Sequence, residues 1–427
     1  MRFNSGVLYF VHCVDTEGPL TEDLVATFDR LRLNKSIVIE PSEINLRKLQ
    51  NMEINLDGRE KEIANYLDKK RISYLNSWDS VKKMLTEVTE DRTRYKFADS
   101  QGNPYLFSWF IIDNVGFKNN PRKKSMGFHA VWDNFHEVFN NRFNDEKGFH
   151  FHTVPKNKNA IEYNTSWTNN DWHEQAVVKR LIERKHFPAI FRAGGHIERN
   201  DLSYWLEQFI PFDYSCRSYD PSLGFDYQAG DINDWRGAPY DWSAYSPDFY
   251  DYRKKGSMKR IIFRALDIDS NAIQIDEQEV YKAFKRATKF PTVLAVSSHD
   301  RRNMYPEIEY MMDLIYFVSK KFPEVTWLHR NGLKAAQTLN ATDDNDNPEL
   351  ELNINNGLLE VSSKRPIFGP QPFLAIQEDE DLFYRDNFTR ENNFFWVYRI
   401  PKGRNISQIS VAASGVNGTV DFKETRL

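Results

Sequence analysis

The sequence predicts an α/β protein in which a closed or nearly closed parallel barrel precedes an all-β module. Strand-like apolar runs alternate with helical stretches of about 10–17 residues, which is the pattern of parallel βαβ units. The apolar runs lack polar alternation, as expected for strands that are covered on both faces. After an acidic, Asn-rich segment the pattern changes to short alternating runs separated by turn residues, which is typical of a β-sandwich.

The barrel is predicted from eight apolar runs with helices between most of them. The predicted strands are residues 7–14, 107–113, 148–153, 188–192, 212–217, 259–266, 291–298 and 325–328. The predicted helices that follow them are residues 128–143, 171–185, 202–208, 277–288 and 305–321. About seven strand–helix units favour a closed barrel, and the active sites of such barrels lie at the carboxyl ends of the strands.

The other segments are interpreted as an insertion, a linker and the β module. Residues 20–100 are polar and largely helical in pattern, for example over 58–70 and 77–85, and their length indicates an insertion that could act as a lid. We therefore expect a barrel over residues 1–342, a linker over 343–348 and a β-sandwich over 349–427. The predicted strands of the sandwich are residues 350–354, 358–361, 394–400, 406–411 and 419–422.

Composition argues against several classes of partner. The 427 residues carry a formal net charge of −4, with basic and acidic residues intermixed, so no basic face predicts nucleic acid or a membrane surface. No apolar run reaches the ~18 residues of a membrane span. The first strand begins too early for a signal peptide, so we expect a cytoplasmic protein. The two cysteines, Cys13 and Cys216, do not predict a structural disulfide.

Two short motifs that end predicted strands carry candidate metal ligands. Residues 149–152 (FHFH) place His150 and His152 two apart, and residues 14–19 (VDTEGP) do the same for Asp15 and Glu17. Alternate residues of a strand share a face, so each pair projects together. Such a set suits a divalent cation such as zinc, with one carboxylate left to act as general base. The structural alternatives are separately hydrogen-bonded histidines and a simple turn after the first strand.

Three more polar residues follow predicted strands. His299 could protonate a leaving amine, with Asp300 as a candidate partner for its ring, although the same residues could simply cap a helix. Arg192 could hold the base carboxylate or bind a substrate anion, and the glycine pair after it allows close backbone approach or only a turn. Asp113 ends the second predicted strand.

The ordered set of motifs resembles the polysaccharide deacetylases of the NodB-homology type (carbohydrate esterase family 4 and relatives). The similarity is greatest to the branch found with surface-polysaccharide biosynthesis. The segments that carry it are residues 14–19 (VDTEGP), 150–152 (HFH), 191–195 (FRAGG), 234–240 (DWRGAPY), 298–301 (SHDR) and 306–308 (PEI), over roughly residues 5–335. The resemblance implies a distorted (β/α)7 barrel, a divalent metal that is usually zinc, and hydrolysis of an N-acetyl group on a sugar.

The resemblance also implies roles for single residues. The better-known first motif has adjacent aspartates and the second spaces its histidines four apart, so this chain departs from both, and either Asp15 or Glu17 is a candidate metal carboxylate. The implied roles are base for Asp15, metal ligation for Glu17, His150 and His152, support by the third-motif arginine for Arg192, and general acid for His299.

The sequence thus predicts a metal-dependent hydrolase that removes N-acetyl groups from a sugar or polysaccharide precursor. The aromatic-rich stretch 235–252 is expected to form a wall of the substrate cleft. Three alternatives stay open. They are a metal hydrolase of another C–N bond such as a ureide or cyclic imide, a catalytically lapsed glycan-binding protein, and a glycosidase, which would use paired carboxylates and need neither metal nor histidine pair.

Overall fold

The structure, a computed structural model, describes residues 6–139, 141–162, 164–223, 234–268, 274–340 and 346–427. The first eight strands form one parallel sheet that closes on itself. They are β1 (Val7–Thr16), β2 (Phe107–Ile112), β3 (Glu146–Phe151), β4 (Ile190–Ala193), β5 (Phe212–Cys216), β6 (Ile261–Asp267), β7 (Thr292–His299) and β8 (Thr326–His329). Each coincides with a predicted apolar run, so the parallel barrel is confirmed.

Seven strands close the barrel, and the eighth strand, β8, pairs with the amino-terminal half of β1. Along one edge, residues 8–15 of β1 pair with β7. The other edge is divided, because residues 7–10 pair with β8 and residues 12–16 pair with β2. The carboxyl end of the barrel is therefore a ring of seven strands, as the (β/α)7 prediction requires, and β8 distorts only the amino end.

The two-residue period of β1 separates the barrel interior from its outer layer. Val11 and Cys13 pack inside the barrel against residues of the other strands. Phe10 and Val14 point the opposite way and pack in the outer layer with the covering helices. Because alternate residues share a face, the next inward position after Cys13 is Asp15, at the carboxyl end of the strand.

Five helices form the insertion between β1 and β2. Helix α1 begins after Asp23, whose Oδ1 accepts a hydrogen bond from the Ala26 N–H over 2.8 Å and so caps the helix. The first three helices share a small apolar core that includes Phe28 and Leu49, whereas the fourth packs Val81 into the outer layer of the barrel. The helices are α1 (Leu24–Lys35), α2 (Glu43–Gln50), α3 (Glu60–Tyr66), α4 (Trp78–Thr89) and α5 (Asp91–Lys96).

Among the described residues, six further helices follow strands β2, β3, β4, β6, β7 and β8. They are α6 (Ala130–His136), α7 (Trp172–Arg184), α8 (Asn200–Phe209), α9 (Glu277–Ala287), α10 (Tyr305–Ser319) and α11 (Gly332–Asn340). Helix α6 is shorter than predicted, and α11 was not predicted from the sequence. In the described part of the chain, no helix has the length and apolar character to cross a bilayer.

The C-terminal module consists of two four-stranded antiparallel sheets, which confirms its all-β character. Leu359 and Trp396 from one sheet pack with Leu374 and Ile409 from the other in a shared core, so the module is a sandwich. The sheet orders are β13-β14-β10-β9 and β12-β11-β15-β16. The strands are β9 (Leu350–Asn355), β10 (Leu358–Ser363), β11 (Phe373–Glu378), β12 (Leu382–Asp386), β13 (Arg390–Glu391), β14 (Phe395–Arg399), β15 (Ile406–Ser414) and β16 (Val420–Arg426).

Strand β11 is buried on both faces, and the sequence analysis missed it together with β12 and β13. Leu374 faces the core of the sandwich, while Phe373 and Ala375 pack in a cluster with residues of α7 and α8 on the barrel. This double burial removes the polar alternation that marks an antiparallel strand. Residues 343–345 of the predicted linker lie outside the described residues, and Asp346 Oδ2 accepts a hydrogen bond from the Asn417 N–H over 2.8 Å within the module.

Candidate metal centre

Inward-facing residues of four strands meet at the carboxyl end of the barrel. Asp15 on β1 and His299 on β7 are register partners on adjacent strands. His150 on β3 and Arg192 on β4 are partners in the same way. Register partners on parallel strands lie side by side, so the barrel brings these four predicted site residues together. The side chains of Asp15, His150 and Arg192 are buried, and that of His299 is half-buried.

Glu17, His150 and His152 form a cluster whose ligand atoms all lie within 4.8 Å of one another. The Nε2 atoms of the two histidines are 3.2 Å apart. Glu17 Oε1 lies 3.4 Å from His152 Nε2 and 3.9 Å from His150 Nε2. Gly18, with a φ of +74°, turns the chain directly after Glu17, and this left-handed conformation favours glycine.

The donor set fits a divalent cation. The Nδ1 of His150 donates a hydrogen bond to the Arg192 carbonyl oxygen over 2.9 Å, which leaves the lone pair of Nε2 for a ligand. Burial lowers the pKa of His152 to about 4, against the opposing charge of Glu17, so its ring is neutral at pH 7. Two imidazoles and one carboxylate, gathered at the carboxyl end of the barrel, are the ligands that catalytic zinc sites use.

The second carboxylate oxygen of Glu17 is held by two cations. Glu17 Oε2 accepts hydrogen bonds from Arg301 Nη1 over 2.8 Å and from Lys124 Nζ over 3.0 Å. Burial alone would raise the pKa of this carboxyl, but Arg301 and Lys124 outweigh it and keep the pKa well below its ordinary value. Glu17 is therefore ionised, with Oε1 directed toward the histidines.

Asp15 is paired with arginine and is absent from the cluster of ligand atoms. Arg192 Nε donates a hydrogen bond to Asp15 Oδ1 over 2.7 Å, and Asp15 Oδ1 lies 3.7 Å from His150 Nδ1. Burial opposes ionisation, yet the charges of Arg192 and the neighbouring histidines keep the pKa of Asp15 below its ordinary value. Of the two carboxylates that the sequence left open, Glu17 is therefore the one whose oxygen lies with the histidine nitrogens, and Asp15 is the one that Arg192 holds.

His299 lies across from both carboxylates. Its Nε2 is 3.6 Å from Asp15 Oδ2 and 3.9 Å from Glu17 Oε1. Burial first, and then the positive charge of Arg301, lowers the pKa of His299 well below its ordinary value. The ring of His299 is thus neutral at pH 7, with Nε2 facing both carboxylates.

Asp300 does not orient His299. Its carboxylate accepts hydrogen bonds from the backbone N–H groups of Glu17, over 2.8 Å, and Gly18, over 3.0 Å. It therefore fixes the turn that carries the candidate metal carboxylate. Burial raises the pKa of Asp300 to about 7.

Asp267 also lies at the carboxyl end of the barrel, as the last residue of β6, and the sequence analysis missed it. Its Oδ1 lies 3.4 Å from Arg192 Nη2 and 3.3 Å from His196 Nε2, and it accepts a hydrogen bond from the Ser297 hydroxyl. Burial opposes its charge, but His196 and the arginines lower the pKa of Asp267 well below its ordinary value. Its place as the first polar residue after the predicted strand 259–266 was the signal that could have found it.

Other candidate residues have structural partners. Asp113 accepts a hydrogen bond from Arg180 Nε over 2.8 Å and another from the His129 N–H over 2.7 Å, so it supports α7 and the start of α6. Cys13 and Cys216 are both buried and are not bonded to each other.

Comparisons with known proteins found weak structural similarity. No family model and no curated protein matches the sequence. A Mycobacterium smegmatis structure, provisionally described as a polysaccharide deacetylase, is 8% identical, with a TM-score of 0.37 over 80% of this chain and 93% of that one. A Parabacteroides distasonis structure, provisionally described as a glycoside hydrolase/deacetylase, is 10% identical, with a TM-score of 0.39 over 90% and 86%. The argument about function therefore depends on the site itself.

Proposed function

We propose that this protein is a zinc-dependent hydrolase that removes acetyl groups from N-acetylated saccharides. The observation that supports this most is the combination of the Glu17–His150–His152 cluster with a separate carboxylate, Asp15, that arginine holds. Amide hydrolysis needs an electrophilic centre, which a cation held by the cluster would supply, and a general base, which Asp15 can supply. The ordered motifs that resemble NodB-type deacetylases add the expectation that the amide is an acetamido group on a sugar.

Each carboxylate has one role in this proposal. When bound by Glu17, His150 and His152, the cation supplies polarisation of the amide carbonyl and favours ionisation of water. Asp15 takes the proton of the attacking water, because it faces the cluster and the Arg192 guanidinium keeps it ionised. Glu17 does not share this role, since both of its oxygens are already engaged.

His299 completes the proton path. Its Nε2 lies 3.6 Å from Asp15 Oδ2, so it can receive the water proton from that carboxylate and give it to the departing nitrogen. The C–N bond breaks, the acyl group leaves as acetic acid, which loses its remaining water-derived proton to solvent as acetate, and the sugar keeps a free amine. One proton has then moved from water to nitrogen through two side chains of the barrel.

The aromatic-rich stretch that follows β5 is proposed as a wall for the sugar. Trp235 is buried beside the mouth, where its Nε1 donates a hydrogen bond to the His196 carbonyl oxygen over 3.0 Å. Further along, Tyr240 and Tyr250 are exposed, the latter by 80% of its surface. Exposed rings of this kind offer an apolar face together with a hydroxyl group that bonds water or sugar.

The proposal is tested by metal analysis and product analysis of one set of proteins. Purified full-length protein is expected to hold about one zinc ion per chain and to release acetate from N-acetylated oligosaccharides. His150→Ala should lose both properties. His136→Ala, at an exposed position, serves as the matched control and should keep both.

The same measurements separate the alternative functions. Hydrolysis of a ureide or cyclic imide without acetate release would assign the site to another C–N bond. Glycan binding without turnover in the parent protein, retained in His152→Ala, would identify a lapsed enzyme. Cleavage of the glycan chain in protein that holds no metal would point to a glycosidase and contradict the proposal.

A further inference from the structure

Two parts of the helical insertion lie against the turn that carries Glu17. At the start of the insertion, the Leu20 N–H donates a hydrogen bond to the Leu75 carbonyl oxygen over 2.9 Å. The Leu75 N–H in turn donates one to the Arg301 carbonyl oxygen over 2.8 Å. Leu75 thus lies between the chain that leaves the turn and the residue whose guanidinium holds Glu17 Oε2. The insertion is therefore one of the segments that surround the candidate metal centre.

Trp78, the first residue of α4, packs on the backbone of the same turn. A β-carbon on Gly18 would lie 2.6 Å from Cζ2 and 2.7 Å from Cη2 of the Trp78 indole. These distances are well inside the roughly 3.5–4.0 Å at which carbon atoms are in contact. The indole therefore fills the space that any side chain at position 18 would need. Because Gly18 follows Glu17 directly, the ring limits the movement of the turn on that side.

The same indole is bonded to the loop that supplies the second cation of Glu17. Trp78 Nε1 donates a hydrogen bond to the Ser125 hydroxyl oxygen over 3.0 Å. The preceding residue, Lys124, donates a hydrogen bond from Nζ to Glu17 Oε2 over 3.0 Å, and its side chain is only 10% exposed. One side chain of the insertion thus connects the backbone of the turn with the loop that holds its carboxylate.

The start of the insertion is bonded to that loop as well. The Thr21 N–H donates a hydrogen bond to the Arg122 carbonyl oxygen over 3.0 Å, and Glu22 Oε2 lies 2.6 Å from Arg122 Nε. The guanidinium of Arg122 also lies over the ring of Tyr74, with its Cζ 5.3 Å from the ring centroid. Both of the loops that supply cations to the candidate metal carboxylate are therefore bonded to the insertion.

We propose that Trp78 is a positioning residue of the metal centre, which packs on Gly18 and so fixes Glu17 opposite the histidine pair. The inference rests on the proposed function for the presence of the metal, and it gives the insertion a role in metal retention. Partners that hold a ligand in place typically change metal affinity about 10–100-fold when they are lost. A side chain that served packing alone would affect the stability of the fold and leave the metal affinity unchanged.

The test measures the zinc affinity of full-length variants by competition with a chelator. Trp78→Ala is expected to weaken zinc binding about 10–100-fold, because the turn can move into the space that the indole filled. Leu49→Ala is the matched control, since Leu49 lies in the separate apolar core that the first three helices share. This control should lower the denaturant midpoint of the protein and leave its zinc affinity within about twofold of the parent value.

A double-mutant cycle with Gly18 distinguishes positioning from general packing. Gly18→Ala alone should weaken zinc binding, because its β-carbon meets the indole and because alanine is strained at a φ of +74°. In Trp78→Ala protein the contact with the ring is gone, so the same substitution should cost at least about threefold less in zinc affinity. Trp78→Phe keeps a ring but loses the Nε1 donor, and its affinity should lie between those of the parent and Trp78→Ala.

The outcomes separate this inference from the proposed function. Zinc binding that depends on Trp78, without any acetate release, would support the inference and contradict only the proposed substrate. Parent-like zinc affinity in Trp78→Ala, or additive effects of the two substitutions on affinity, would overturn the inference and leave the proposed function intact. If Trp78→Ala does not fold, the same cycle with Trp78→Phe decides. Parent protein that binds no zinc would contradict both.

Discussion

Arg192 Nε donates a hydrogen bond to Asp15 Oδ1 over 2.7 Å, although the two residues lie on β4 and β1, which are not neighbours in the barrel. The guanidinium therefore crosses the barrel interior. Its Nη1 also donates a hydrogen bond to the Tyr214 carbonyl oxygen over 2.7 Å, and Nη2 lies 3.4 Å from Asp267. One buried cation thus connects four strands at the mouth and holds the proposed base in place.

Substitution of Arg192 should affect both stability and activity. Arg192→Gln leaves Asp15 buried without its main counter-charge, and breaking such a pair costs about 3–5 kcal/mol. We expect a lower denaturant midpoint and kcat/KM reduced by at least about a hundredfold, since the base is neither ionised nor oriented. Arg192→Lys keeps the positive charge but not the several N–H donors of the guanidinium group, so it should be more stable than Arg192→Gln but less stable than the parent protein. Wild-type activity in Arg192→Gln would remove Asp15 from the proposed role of base.

Asp300 should control metal affinity without touching the metal. Asp300→Asn loses one of the two acceptor oxygens that hold the N–H groups of Glu17 and Gly18, so the turn that carries Glu17 becomes less rigid. Loss of such a supporting partner typically weakens metal binding about 10–100-fold. Zinc affinity is measured by competition with a chelator. Asp379→Asn, at an exposed position of the C-terminal module, is the control, and equal affinity in the two variants would contradict this role.

Buried histidines should make the fold sensitive to acid. His173 packs between the rings of Trp167 and Trp205, and burial lowers its pKa from 6.5 to about 4. Above pH 6.5 the ring is neutral in both states, so its contribution to stability is complete. Below pH 6.5 the unfolded state binds the proton first, and stability falls until the folded pKa is reached, by about 3 kcal/mol for this one group.

The variant His173→Phe tests this linkage. Phenylalanine keeps an aromatic ring in the same environment and cannot be protonated, so the decrease in stability between pH 6.5 and pH 4 should be smaller by that amount. Denaturant midpoints at pH 7.5, 5.5 and 4.5 give the comparison. An unchanged slope of stability against pH would show that His173 is protonated in the folded protein.

The C-terminal module should stabilise the barrel through a small aromatic contact. Phe373 of β11 lies with its ring centroid 5.3 Å from that of Phe187 and 5.1 Å from that of Phe209. Phe373→Ala removes a buried ring from this contact and should lower the free energy of unfolding by about 3–5 kcal/mol. Zinc content should not change, because the contact is on the outside of the barrel. If Phe373→Ala lost zinc while its free energy of unfolding stayed unchanged, the proposal that this contact stabilises the barrel without supporting the metal site would be wrong.

The sequence could indicate which side chains lie together at the end of the barrel because strands obey a strict two-residue period. His150 and His152 could be placed together from their spacing, and the carboxyl ends of parallel strands converge in any closed barrel. It could not choose between Asp15 and Glu17, because the choice depends on cations that come from elsewhere. Arg192 reaches Asp15 from β4, while Lys124 and Arg301 reach Glu17 from two separate loops.

Other features of the structure could not be predicted from sequence patterns, for related reasons. Asp300 was interpreted as a partner of the adjacent His299, but its oxygens bond to backbone groups 282 and 283 residues away, which no local pattern encodes. Arginine is usually a surface residue, so the sequence did not predict that Arg30 of the insertion is buried against Glu22 and beside Arg122. Strand β11 was missed because contact with the barrel replaced its polar face with Phe373 and Ala375.

The strands that flank β1 in the barrel lie far from it along the chain. β1 is synthesised well before its partners β7 and β8, which begin at Thr292 and Thr326. β2 can pair with one edge of β1 early, but the edge that pairs with β7 stays open until β7 has been synthesised, and an open strand edge can pair with the wrong strand. Closure of the barrel therefore depends on contacts of long sequence separation, which makes it slow.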